Sequence, residues 1–143
     1  MSEKKRLPEA TRYIRDLGIA RVDSGRSART GAPEAVYAAG KSVEAVCTLV
    51  ENHAPEDGPL IVTRANDEQL QALEALGDSV RVYCEARLAS VGQAEASGCR
   101  VGVIAAGTSD RPVAEEAACT LEVLGHEVRR FYDVGVAGLH RVL

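Results

Sequence analysis

The sequence predicts an α/β protein: a small N-terminal α/β domain over residues 1–95, then the first βαβ unit of a parallel three-layer sheet over residues 96–143. Three observations predict it. The 143 residues are 45% hydrophobic but only 3% aromatic, so the core must come from Val, Leu, Ile and Ala. Apolar runs of strand length alternate with stretches of helical period. Between them lies GQAEASG (92–98), small, polar and glycine-bounded, the best candidate for a linker.

Each element has its own warrant. PEATRYIRDL (8–17) can form a first helix, with Pro8 in its first turn and Gly18 as its stop. IARV (19–22) reads as a short strand, SGRSARTGAP (24–33) as a polar loop, and EAVYA (34–38) as a second strand. Ser42 caps an amphipathic helix whose Val43, Val46, Cys47 and Val50 make one apolar stripe. PLIVTR (59–64) is a continuous apolar run of strand length. Asn66 and Gln69 form a capping-box pair, opening a helix with Leu70, Leu73 and Leu76 on its buried face and Gly77 at its end. SVRVYCE (79–85) alternates, as a half-buried strand does.

After the linker, RVGVIAAG (100–107) is apolar throughout, the pattern of a strand covered on both faces. A helix is predicted from about Pro112 to Leu124, with Val113, Ala117, Leu121 and Leu124 on its stripe and Gly125 closing it. HEVRRFYDV (126–134) is a further strand, followed by glycine-rich GVAGLHR (135–141). Strand, turn, helix and strand read as a right-handed βαβ unit of the flavodoxin/Rossmann-like kind. Residues 98–143 approach the roughly 40-residue limit for unaided folding. The unit therefore either adds to the first region's sheet or belongs to a chain continuing past Leu143; the ending favours continuation.

Seventeen Lys and Arg against twenty-one Asp and Glu leave a net charge of −4, which gives no reason to expect nucleic acid or anionic lipid as a partner. No run approaches the roughly 18 apolar residues of a membrane span, and the opening MSEKKRLPEA lacks the apolar core of a secretory signal. Cys47, Cys84, Cys99 and Cys119 are scattered without a CxxC pair, so reduced, buried thiols in a cytoplasmic protein are expected.

Three constellations could carry chemistry. Gly107, Thr108, Ser109 and Asp110 lie between the first βαβ strand and its helix, where open α/β sheets bind ligands. Asp110 could accept from ribose hydroxyls, or could merely cap the helix. Gly102 to Gly107 mimics half of a phosphate-binding loop, but the lysine is missing. Asp133, Gly135, Gly138, His140 and Arg141 follow the second strand, and their loop should open on the same edge of the sheet. His140 could move protons and Arg141 could fork onto a phosphate, or both could be solvated loop residues. In the first region, Arg26, Arg29 and Lys41, with Asp23, Gly31 and Glu34, could hold a phosphate or carboxylate, or form a solvated face. His53 and His126 read as structural.

RVDSGRSARTGAPEAVYAAGKS (21–42), VGVIAAGTSDRPVAEEAACTLEVLG (101–125) and YDVGVAGLHRVL (132–143) together resemble the LarB family of nickel-pincer cofactor biosynthesis, whose C-terminal part is similar to aminoimidazole ribonucleotide carboxylase. The resemblance implies an enzyme acting on nicotinic acid adenine dinucleotide, carboxylating pyridinium C5 and hydrolysing the phosphoanhydride. The products are AMP and pyridinium-3,5-biscarboxylic acid mononucleotide, a precursor of the lactate racemase cofactor. It implies carbon dioxide or bicarbonate as co-substrate, Mg²⁺ or another divalent cation, and octameric assembly of the complete protein. By motif, Thr108, Ser109 and Asp110 match the loop that holds ribose and phosphate. His140 and Arg141 match the His-Arg loop, whose histidine handles the proton. The family's ring-activating cysteine lies in a half that has no counterpart here, so residues 1–143 alone are expected not to turn over. The competing class is a non-catalytic nucleotide-binding or subunit-interaction module.

Overall fold

The computed structural model describes residues 14–18, 21–23, 25–135 and 138. Strands β1 (Ile14–Asp16) and β2 (Arg21–Asp23) pair antiparallel. The helix expected over 8–17 is thus replaced in its described part by a strand; the rest of that stretch lies outside the described residues. The stretch read as a polar loop contains a short helix, α1 (Arg26–Thr30), which starts and stops at left-handed Gly25 and Gly31.

β3 (Glu34–Tyr37), α2 (Val43–Glu51), β4 (Leu60–Thr63), α3 (Asp67–Glu74), β5 (Val80–Tyr83) and β6 (Leu88–Val91) form a four-stranded sheet in the order β3-β4-β6-β5 with its two helices. β3 and β4 are parallel, and β6 runs antiparallel to both β4 and β5. The helix starts follow the sequence. The Ser42 side chain accepts from the Ala45 N–H at 3.2 Å. The Asn66 and Gln69 side chains accept each other's backbone N–H at 2.8 and 2.9 Å. Val46, Leu49, Val50, Leu70 and Leu73 from the helices pack on Val36, Leu60, Val62 and Ala89 of the sheet.

The opposite face is covered too. β7 (Arg100–Ala105), α4 (Arg111–Val123) and β8 (Glu127–Tyr132) make a parallel βαβ unit. Cys119 and Val123 of α4, with Leu124 just past its end, pack against Ile61, Tyr83 and Leu88 of the first sheet and Ala86 of the β5–β6 turn. α4 is therefore sandwiched between the four-stranded sheet and the β7–β8 ladder, which remains a separate two-stranded sheet. That placement shifts the helix phase. Ala114, Ala118, Cys119 and Val123 are its buried residues, while Val113 and Ala117 of the expected stripe are exposed, because small residues let two sheets approach one helix. β7 is covered by α4 on one face; on the other, Ile104 is 72% exposed among the described residues, so the expectation of cover on both faces is corrected.

The expected linker is docked rather than loose. Ala94 N–H donates to the Val123 carbonyl and Ser97 N–H to the Gly125 carbonyl, both at 2.8 Å. Of the four free cysteines only Cys119 is buried; Cys47 is half-buried, and Cys84 and Cys99 are exposed, contrary to the expectation of burial. No helix among the described residues is long and apolar enough to cross a membrane.

Candidate functional site

Parallel, in-register pairing from Arg100 opposite Glu127 to Ala105 opposite Tyr132 makes the chain leave β7 and β8 at one rim. Beyond β7 the backbone enters a tight turn, Thr108–Asp110, that leads straight into α4. The turn is closed on itself. Gly107 N–H donates to Asp110 Oδ2 at 3.3 Å, and Asp110 N–H donates back to the Gly107 carbonyl at 3.1 Å. The Asp110 carboxylate makes no bond to the first N–H groups of α4, so it ties the turn and does not cap the helix. Thr108, Ser109 and Asp110 are exposed.

Beyond β8, Asp133 takes a left-handed φ of 60° and Val134 N–H donates to the Ala105 carbonyl at 3.3 Å. Gly135 then passes so near β7 that a Cβ would stand 3.0 Å from the Ala106 carbonyl oxygen, a tight approach that glycine eases. The described starts of the loops after β7 and β8, through Gly107 and Gly135, thus lie side by side at this rim. His140 and Arg141 lie outside the described residues, and Gly138 is half-buried. A hollow of about 470 Å³ opens at the Gly107 turn, lined by Val103, Ile104, Ser109, Asp110 and Val113 among others.

Charged residues brace this rim. Arg111 pairs with Glu85 at 2.5 Å, and its guanidinium lies 5.6 Å from the centre of the Tyr132 ring. Arg64, itself at a left-handed φ of 55°, reaches Glu116 of α4 at 2.9 Å. The sequence reading missed Arg111; its one signal is its place directly after the Gly107–Asp110 turn. Behind the rim, Arg130 binds Glu122 at 2.5 and 2.9 Å and Glu115 at 3.2 Å. Glu122 above all holds the guanidinium even more firmly protonated than usual. Burial, then Glu115, pushes the Cys119 thiol up, which disfavours a reactive thiolate there.

In the first region two of the three candidate cations face carboxylates of the chain. Arg29 forks onto Asp23 at 3.0 and 2.5 Å, and that bond holds the Asp23 carboxyl below its ordinary range. Arg26 faces Glu34 at 4.0 Å. Lys41 stands exposed after β3 with no ion-pair partner among the described residues. His53 Nε2 donates to the Gly58 carbonyl at 2.7 Å and His126 Nδ1 lies 2.6 Å from Ser97 Oγ, structural roles as expected.

These features define an α/β protein with a tight, self-closed turn at the rim where two parallel strands end. The LarB/PurE-like N-terminal domain family matches residues 14–93, the stretch from β1 through β6, and the chain belongs to that family. It is also 34% identical over 136 residues to an uncharacterized protein, MJ0165, of Methanocaldococcus jannaschii, covering 85% of this chain and 51% of that one. The chain thus spans about half the length of this curated relative.

Proposed function

We propose that this chain forms the nucleotide-holding part of a LarB-type enzyme that carboxylates C5 of nicotinic acid adenine dinucleotide and hydrolyses its phosphoanhydride, giving AMP and pyridinium-3,5-biscarboxylic acid mononucleotide. The observation that carries the reading is the self-closed Gly107–Asp110 turn beside Val134 and Gly135, over the 470 Å³ hollow at one rim of a parallel ladder. Family membership supports the carboxylase-type setting.

In this reading Gly107 lets the backbone approach the ligand, and Thr108 and Ser109 donate hydroxyls to phosphate or ribose. The outer oxygen of Asp110 accepts from a ribose hydroxyl. Arg141 forks onto a phosphate and His140 handles the proton. A pyridinium carbon is electron-poor, so a nucleophile must add to the ring before carbon dioxide or bicarbonate can be captured, and a buried, protonated Cys119 is poorly suited to that role. The described residues hold no group of three or more His, Cys, Asp or Glu that could cage a metal. Mg²⁺ would therefore be carried largely on the substrate phosphates, and no step here depends on it. Cytoplasmic residence and assembly into a homo-octamer belong to the same reading.

Calorimetric titration with nicotinic acid adenine dinucleotide tests it. Asp110→Ala and Arg141→Ala should each weaken binding about tenfold, about 1.4 kcal/mol. Asp110→Asn keeps an oxygen for the Gly107 N–H, so it should preserve the turn and lose less affinity. Equal affinity in wild type and both alanine variants, or no binding at all, would overturn the assignment.

A further inference from the structure

On the α2–α3 side of the four-stranded sheet, away from α4, a second hollow of about 330 Å³ lies between β2, the edge strand β3 and α2. Its size is at the small end of ligand cavities, which begin near 300 Å³. Val22, Val36, Leu49 and Leu60 supply aliphatic walls, and Glu34 and Lys41 supply opposite charges.

Glu34 is the anomaly. Its Oε2 is buried and has no hydrogen-bond partner among the described residues. Arg26 Nε, 4.0 Å away, is within ion-pair range but too far for a hydrogen bond. Buried oxygens seldom go unpaired, so a carboxylate left this way at the wall of a hollow is poised to take a donor. Lys41 is the complement, an exposed ammonium without an ion-pair partner among the described residues. Its backbone is held in place. The Gln69 side chain, only 2% exposed, donates through Nε2 to the carbonyls of Ala38 and Lys41 at 3.1 and 2.8 Å. A buried amide spent on fixing the Ala38–Lys41 turn sets where the lysine starts.

We propose that this hollow binds a small aliphatic zwitterion of the α-amino-acid type, with its ammonium on Glu34, its carboxylate on Lys41 and a branched side chain among Val22, Val36, Leu49 and Leu60. A phosphate would meet the Glu34 carboxylate, and a simple amine would leave Lys41 idle. An acid without an ammonium would leave Glu34 Oε2 without a donor. The site does not depend on the nucleotide reading, because it is built from other elements on the other face of the sheet.

NMR titration with L-leucine tests the proposal, with isoamylamine and 4-methylpentanoate as probes lacking one charge each. L-leucine should give saturable shifts at the methyls of Val36, Leu49 and Leu60 in the millimolar range. Each truncated probe should bind at least about tenfold more weakly, as should L-leucine to Glu34→Gln and Lys41→Met. In the wild-type protein, bound L-leucine should also move the Glu34 carboxyl titration to lower pH, because an adjacent ammonium favours the charged form against the Asp23, Arg26 and His53 background. That readout needs no variant to fold. No saturation, isoamylamine binding as tightly as L-leucine, or an unmoved Glu34 titration would each overturn the proposal.

Discussion

Residues 34–91 and residues 100–135 are built from similar material and end up differently buried. In the first, β4 and β6 are buried at every position but the last, with α2 and α3 on one side and α4 on the other. In the second, β7 and β8 rest on α4 with one face, while Ile104 and Phe131 on the other are 72% and 48% exposed. An apolar run therefore sets what a strand can bury, and its neighbours set what it does bury. The open unit is also the one carrying the Gly107–Asp110 turn that we propose as the nucleotide site, consistent with loops that leave a strand end while the packed sheet holds its position.

The sharpest test of that contrast is a pair of truncations. Leu73 is fully buried between α3 and the sheet, so Leu73→Ala should cost about 2–5 kcal/mol of unfolding free energy. Ile104→Ala removes a similar mass from an exposed face and should fall within about 0.5 kcal/mol of wild type. Urea unfolding of both variants checks this. Equal losses would mean that the β7–β8 face is covered in solution.

A smaller effect probes the seam between the regions. Gly125 has a φ of 83°, and a Cβ there would stand 2.1 Å from the Glu95 carbonyl oxygen. Gly125→Ala should cost at least about 1–2 kcal/mol for the left-handed backbone alone. It should also push the 94–97 segment off the end of α4. Hydrogen exchange at the Ala94 and Ser97 amides, which donate to Val123 and Gly125, should quicken well beyond the global change. Uniform quickening throughout the chain would argue against a local clasp.

What the sequence made legible was local. The Ser42 cap and the Asn66–Gln69 box span three residues each, and the Gly107–Asp110 turn is nearly contiguous. β6 escaped notice because the preceding turn uses Arg87 at a φ of 49°, with no glycine or asparagine to announce a hairpin. The phase of α4 was misread because two sheets, not one, select its small residues. The Glu34–Lys41 hollow was half visible. Its charges were noticed, but the Gln69 clamp reaches across 31 residues of sequence to Ala38, and only the tertiary fold supplies that.

The gentlest prediction returns to Glu34, whose carboxyl is set differently from those of the open unit. In the open unit Arg130 lies within hydrogen-bonding distance of both Glu115 and Glu122. Burial instead pushes the Glu34 carboxyl up from its ordinary 4.5, with Arg26 opposing. A carboxyl whose pKa is raised by folding binds more protons folded than unfolded between the two values, so its contribution falls as pH climbs through that window. Glu34→Gln removes the penalty. Without added ligand, the variant should gain on wild type as pH rises above about 4.5 and stay the more stable at pH 7, by an amount kept small by partial solvent exposure. Thermal melts from pH 4 to pH 7 measure the difference. A wild type more stable than Glu34→Gln at pH 7 would mean that the Glu34 charge is already satisfied within the fold, leaving the hollow no electrostatic reason to take an ammonium. The predicted gain is therefore the stability side of a carboxylate with an oxygen that no described residue hydrogen-bonds.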